Sequence, residues 1–275
     1  MFKILDKKVL GAGVTALTLD APFIAKKVKA GQFVIIRIDE KGERIPLTVA
    51  DFNGDKGTLT IIFQALGYTT KKLALMNVGD SLLDCVGPLG SPTEFGSPKK
   101  AIVIGGGVGC AIAYPQAKTL YNMGVDTTVI AGFRNKDIVI LEDEMRKVSN
   151  SCYITTDDGS YGQKGFVTEV LKTLLEKGGY DLVIAIGPIP MMKFVSLLTR
   201  EYGVKTIVSL NPIMIDGTGM CGGCRVNVGG EIKFACVDGP DFDGHLVDFD
   251  SLSRRNALYR EEEAHSCRME GQING

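Results

Sequence analysis

Residues 215–236 read IDGTGMCGGCRVNVGGEIKFAC and hold three of the chain's seven cysteines, Cys221, Cys224 and Cys236, with Asp216 ahead of them. The spacing D-x4-C-x2-C-x11-C follows the plant-type 2Fe-2S pattern C-x4-C-x2-C plus a more distant cysteine, with an aspartate in the first ligand's place. A carboxylate is anionic and binds ferric iron through oxygen. It therefore keeps the number and charge of the ligands and exchanges one soft sulfur for a harder atom. The glycines of DGTGMCGG let the backbone fold tightly around a cluster and present N–H groups to its sulfides. Structural zinc held by the three cysteines with His245 or Asp216 competes with this reading. Cys85, Cys110, Cys152 and Cys267 stand singly, mostly beside apolar residues, and read as ordinary reduced thiols.

A second chemistry is suggested by IGGGVG, Ile104 to Gly109, which follows the apolar run AIVI and opens a helical stretch. Backbone N–H groups and a helix start would there meet a pyrophosphate without side-chain obstruction. Gly105 and Gly107 fit G-x-G-x-x-G, but Cys110 stands at the third glycine's place. No acidic residue ends the second strand, where Arg134 is found instead. A tight turn with no ligand is the plain alternative. TTDDGSYG (155–162) and GPIPMM (187–192) fall at the ends of later strands, where ligands bind in open α/β sheets, although each alone is also a turn or a strand stop. In the first half, RIPLT (44–48), GYTT (67–70) and GPLG (87–90) offer an arginine, hydroxyls at a helix start and a glycine turn. These group types suit a second phosphate-bearing cofactor and are also common in β domains.

Elements must position these groups. Up to residue 98 the runs QFVIIRI, PLTVADF and GTLTIIF are β-branched, partly alternating and separated by turns such as NGDKG, which predicts an antiparallel sheet or small barrel. One helix, TTKKLALM, interrupts it. Over 99–210 the buried-strand runs AIVI, DTTVIAGF, CYITT, DLVIAI and TIVSL alternate with helix-length segments, the pattern of a doubly wound parallel sheet. The expected division is 1–98, 99–210, a cysteine segment at 211–250 and a helical tail at 251–275. With 31 Lys and Arg against 32 Asp and Glu, and no basic-aromatic stretch, neither nucleic acid nor an anionic membrane is suggested as a partner. The start, MFKILDKKVL, lacks an uninterrupted apolar region, and AIVIGGGVGCAIAY is too short and Gly-broken to span a bilayer, so a soluble, cytoplasmic protein is expected.

In this order, RIPLT, GYTT, GPLG, GGGVG, TTDDGSYG, GPIPMM and the cysteine segment resemble the ferredoxin-NADP reductase superfamily. More narrowly, MCGGCRV with FACVDGPDFDGHLVDFD is similar to the small subunits of NADH-dependent reduced ferredoxin:NADP oxidoreductase, also described as sulfide dehydrogenase beta subunits. Dihydroorotate dehydrogenase electron-transfer subunits are similar throughout but have cysteine where this chain has Asp216. The resemblance implies an N-terminal antiparallel β-barrel domain carrying FAD, with Arg44, Pro46, Leu47 and Thr48 around the isoalloxazine and ribityl chain and Gly67, Thr69 and Thr70 near the pyrophosphate. It implies NAD(H) across Gly106, Gly107, Val108 and Gly109, with Asp157, Asp158, Gly187 and Pro188 nearby, and a 2Fe-2S cluster on Asp216, Cys221, Cys224 and Cys236. It implies, too, a larger flavin and iron-sulfur partner subunit, through which ferredoxin is reached. A self-sufficient NAD(P)H reductase and a zinc-stabilised nucleotide-binding module are the alternatives. Only the resemblance points to NADH, since Arg134 could face a 2'-phosphate.

Overall fold

The computed structural model describes residues 1–258. Strands β1 (Phe2–Gly11), β2 (Val14–Asp20), β3 (Phe33–Arg37), β4 (Ile45–Asn53), β5 (Thr58–Gln64), β6 (Ser81–Leu82) and β7 (Asp84–Leu89) form one antiparallel near-barrel sheet, ordered β6-β1-β2-β5-β4-β3-β7. A short helix α1 (Pro22–Ala25) follows β2, and α2 (Tyr68–Leu75) occupies the predicted helical interruption. Period-two burial sends Leu17, Leu19, Leu59, Ile61 and Phe63 into one core with Val34 and Ile36. The β1–β2 hairpin, turning at Gly13 with φ +71, lies where the sequence reading named no strands. Its first strand carries Lys3, Asp6, Lys7 and Lys8, whose charges hide the alternation.

The second sheet is ordered β11-β10-β9-β8-β12-β13-β16. Its strands are β8 (Lys100–Gly106), β9 (Asp126–Phe133), β10 (Ser151–Thr156), β11 (Gln163–Lys164), β12 (Leu182–Ile186) and β13 (Lys205–Ser209), all parallel, with β16 (Asp241–Asp243) antiparallel at the edge. Helices α3 (Cys110–Asn122) and α4 (Glu142–Lys147) cover one face, where Ala101, Val103, Val129 and Ile184 meet Ala113, Ala117, Leu120 and Met145. Helices α5 (Val167–Lys177) and α6 (Ile189–Glu201) cover the other, over Ile102, Ile104, Ile130 and Val183. Burial on both faces explains why these strands read as continuous apolar runs. The hairpin β14 (Arg225–Val228) and β15 (Glu231–Phe234), then β16 and helix α7 (Phe249–Asn256), complete the described residues. Cys224, Val226, Ala235 and Cys236 join the same core as Phe33 and Ile35 of β3, so the cysteine segment packs on both sheets.

Candidate functional site

The strand order reverses between β8 and β12, and a cleft of about 760 Å³ opens at the carboxyl ends of these strands, the usual ligand position of an open α/β sheet. Gly106, Gly107, Val108, Gly109, Arg134, Asp157, Gly187 and Pro188 all line it. Asp158 does not: its Oδ1 accepts the Ser160 N–H at 2.9 Å within the 155–162 turn, and the Ser160 bonds hold its carboxyl below the usual range. The glycines divide by what surrounds them. A Cβ at Gly109 would meet the Ile186 backbone carbonyl at 2.5 Å, so packing alone requires that glycine, whereas one at Gly106 would meet the flexible Met191 thioether at 2.5 Å, which can give way. Gly107, with φ +56, has nothing within 4 Å and faces open cleft just before α3 begins. A backbone free of side chains at a helix start fits a pyrophosphate. The sequence reading missed Leu66, Phe166 and Phe194, apolar yet mostly exposed at the cleft. A lone phenylalanine beside a helix start carried no signal.

In the cysteine segment, the x11 interval is accounted for by the hairpin: strand β14, Gly229 and Gly230 at φ +62 and +82, strand β15 and Ala235. Its base brings Cys224 Sγ and Cys236 Sγ to 3.1 Å, both buried. Asp216 and Cys221 make a second pair. Asp216 Oδ2 accepts the Cys221 N–H at 3.0 Å, and Oδ1 accepts the Thr218 N–H at 2.8 Å and the Thr218 hydroxyl. The Thr218 hydroxyl first, then the Cys221 thiol and N–H, hold the Asp216 carboxyl well below the usual carboxylate range. It is an anion whose Oδ1 is filled by Thr218, while Oδ2, which accepts one backbone N–H, has a lone pair for a metal once the Cys221 thiol proton is displaced. Burial pushes the Cys236 thiol up to about 12, with Cys224 beside it, so metal must displace that proton. Among the described residues no three of His, Cys, Asp and Glu converge as one ion's ligands. Two pairs of anionic donors suit two irons better than one zinc. His245 is engaged elsewhere, its Nε2 3.0 Å from Thr199 Oγ1, and Cys267 lies outside the described residues.

The third group lies on the near-barrel. Residues 44–48 of RIPLT stay half-buried in succession, while Phe33 to Ile36 of the paired β3 are fully buried, so β4 enters the sheet with an open surface. At α2, Gly67 is open and the first turn offers N–H groups. The two threonine hydroxyls are committed within the chain: Thr69 Oγ1 donates to Glu43 Oε2 at 2.5 Å, and Thr70 Oγ1 accepts the Gly67 N–H at 3.1 Å. An anion here would meet backbone rather than those hydroxyls. The cysteine loop seats against the same region. Arg44 Nε reaches the Ile215 carbonyl at 3.4 Å, a Cβ on Gly217 would meet Ile35 Cδ1 at 2.5 Å, and Ser91 N–H donates to Gly239 O at 2.6 Å. Leu66, just before α2, also walls the cleft.

This arrangement has close counterparts. Over 261 residues the chain is 48% identical to the dihydroorotate dehydrogenase B (NAD(+)) electron transfer subunit homolog of Thermotoga maritima, covering 95% of this chain and 92% of that one. It is 33% identical to the corresponding electron transfer subunit of Streptococcus mutans, over 89% and 96% of the two chains. The chain belongs to the dihydroorotate dehydrogenase B electron transfer subunit family. Residues 211–248 of this electron transfer subunit match the iron-sulfur cluster binding domain of dihydroorotate dehydrogenase B. A solved chain of NADH-dependent reduced ferredoxin-NADP oxidoreductase, described for flavin-based electron bifurcation, is similar at a TM-score of 0.92 and 47% identity, covering 97% of this subunit and 96% of that chain. It is thus an oxidoreductase subunit with a ferredoxin reductase fold and an iron-sulfur segment. Among the described residues no helix is long and apolar enough to cross a membrane.

Proposed function

We propose that the chain is the NAD(H)-linked subunit of a cytoplasmic heterodimer, carrying FAD on residues 1–98, NAD(H) on 99–210 and a 2Fe-2S cluster on 211–250, with 251–275 as a tail. Its larger flavin and iron-sulfur partner would connect it to ferredoxin, as in the solved relative's reaction. The observation that carries the reading is the seating of the cysteine loop on Arg44 and Ile35, at the start of the half-buried β4 and on its partner β3, and of the following turn on Ser91. Bound together, the two cofactors supply the conversion between two-electron nicotinamide chemistry and one-electron transfer.

The chain's residues bind and orient. Gly107 leaves room for a pyrophosphate at the start of α3, and Arg134 and Asp157 stand at the ends of β9 and β10 to meet the ribose. Arg44, Pro46, Leu47 and Thr48 present the β4 surface to a flavin ring, with the Gly67 to Thr70 turn at its phosphates. Asp216 with Cys221, and Cys224 with Cys236, supply two donors per iron. Ile215, Met220 and Val237 are exposed in the same segment as exposed Cys221, apolar side chains suited to a protein partner.

Anaerobically purified protein is expected to contain flavin and iron without zinc, and to lose its flavin absorbance on NADH addition. Turnover with natural acceptors should stay weak until the partner is added. A colourless zinc protein, or full activity of the chain alone, would refute the assignment. A partner that oxidises dihydroorotate is the second reading, favoured by the relatives' family, and assay of the copurified partner with dihydroorotate separates the two.

A further inference from the structure

Asp241, on the edge strand β16, points its carboxyl into the junction of the three segments. Oδ2 accepts the Thr93 hydroxyl at 2.5 Å, from the stretch after β7, and the Gln116 Nε2 at 3.1 Å, from α3. The Ser209 hydroxyl, at the end of β13 and in the wall of the nucleotide cleft, stands beside the same carboxyl. No cation pairs with Asp241 among the described residues. Charged residues on the surrounding elements turn away: Lys29, Glu94 and Asp243 are exposed, and Lys118 pairs with Asp51 at 2.8 Å. Two atoms in this junction are sealed from solvent and lack a partner, Asp241 Oδ1 and Gln116 Oε1, and both are acceptors. Two orphaned acceptors on groups already joined by one hydrogen bond cost several kcal/mol between them at about 1–3 kcal/mol each.

A single proton removes both deficits. A carboxylic acid and a primary amide form an eight-membered ring in which the amide N–H donates to the acid carbonyl and the acid O–H donates to the amide carbonyl. The Nε2 to Oδ2 bond supplies one limb, and the two orphaned oxygens, Oδ1 and Oε1, are the atoms that the acid proton would join in the other. Rotating the amide by 180° would turn its N–H toward Oδ1 and its oxygen toward Oδ2, which already accepts from Thr93, so Gln116 Oε1 would still lack a donor and would face an unprotonated oxygen; only the proton satisfies both acceptors. We infer that Asp241 is an un-ionised carboxylic acid in the folded protein, closing a ring with Gln116 that positions the cluster segment against both sheets. Burial, which raises the carboxyl against the opposing pull of Thr93, Ser209 and Gln116, acts in the same direction. The ring joins α3, which begins at the nucleotide loop, to β16, which leaves the last cluster cysteine, and rests on the Ser209 that walls the cleft. This inference rests on the packing of the three segments and is independent of the proposed electron partner.

The sign of the pH dependence follows. Unfolded aspartate ionises near about 3.9, and a folded-state proton held above that value is a contribution fully present at lower pH and lost as pH rises through the folded value. Each pH unit in that window should lower the folded-to-unfolded ratio about tenfold relative to Asp241→Asn, which carries no such proton. Infrared spectra of the holoprotein with 13C-carboxyl aspartate should contain, at neutral pH, an acid carbonyl band that shifts with the label and is absent from Asp241→Asn. Because the label is read in the parent protein, the test stands even if the variant does not fold. Asp241→Ala should lower thermal stability and broaden the resonance of the reduced cluster, and Asp241→Asn, which can rebuild the ring as an amide pair, should restore both. Labelled protein with only ionised carboxylate bands, as an ionised Asp241 bridged to Gln116 by a buried water would give, overturns the inference, as do parallel pH–stability curves for parent and Asp241→Asn.

Discussion

Asp216 does two jobs that single substitutions can separate. Its carboxylate gathers the Thr218 and Cys221 N–H groups, which fixes the loop, and it presents anionic oxygen where the plant-type spacing has its first cysteine. A carboxylate gives ferric iron less electron density than a thiolate of equal charge, so Asp216→Cys should retain the cluster and lower its potential. The same change deletes the loop's acceptors and should cost about 1 kcal/mol of thermal stability. Asp216→Asn keeps an acceptor for the loop but not the charge, and is expected to alter the paramagnetic resonance of the reduced cluster or to lose it. An unchanged resonance and potential in both variants would reduce Asp216 to a turn cap. The ligand spacing was legible in the sequence. Thr218 was not, although D-x-T is an Asx-turn pattern, because a turn former amid many glycines does not stand out.

At the level of elements, the turn from β8 into α3 shows why a glycine motif is hard to weigh from sequence. Of its three glycines, Gly109 is set by the Ile186 carbonyl, Gly106 meets the flexible Met191 thioether, and Gly107 alone would carry a Cβ with nothing within 4 Å. Gly107→Val should therefore abolish reduction of the flavin by NADH while dithionite still reduces flavin and cluster, with a stability loss of about 1–2 kcal/mol from its positive φ. Gly109→Ala should behave the other way, losing about 1–3 kcal/mol of stability through overpacking with NADH affinity in the surviving folded protein little changed. Equal effects on NADH kinetics from both would remove Gly107 from the site. The parallel strands were legible because burial on two faces leaves uninterrupted apolar runs such as DLVIAI. The β1 strand, paired on its outer side by β6 only at Phe2 and Lys3 and carrying DKK beyond, and the edge strand β16, with Asp241 and Asp243, were not, because strands with an unpaired outer side carry charge. Helix α3 holds Pro115 inside it, which weakens any reading from propensity, yet Ala113, Ala117 and Leu120 still bury one face.

Across the whole molecule, the cysteine segment is buried where it meets the two sheets and open on its far side. Cys224 and Cys236 sit in the core shared with Phe33 and Ile35, whereas Cys221 is exposed, as are Ile215, Met220 and Val237 of the same segment at 56%, 90% and 47% exposure. If Asp216, Cys221, Cys224 and Cys236 hold the cluster as proposed, Cys221 of one pair is exposed while the other pair is buried, so the cluster would reach from the core to the surface, as a subunit needs if electrons are to leave it for another protein. Exposed apolar side chains in this segment offer a centre for an interface, where a few residues dominate the binding energy. Replacing Ile215 and Met220 together by alanine removes apolar contact without adding charge near the cluster. The expected cost to partner binding is about 2 kcal/mol, or roughly a thirtyfold weaker Kd by titration calorimetry. Flavin reduction by NADH in the isolated subunit and the resonance of its reduced cluster should match the parent, since neither side chain reaches the nucleotide cleft. Undiminished partner affinity in this double variant would move the interface elsewhere, and an altered resonance would show instead that these side chains hold the cluster loop in shape.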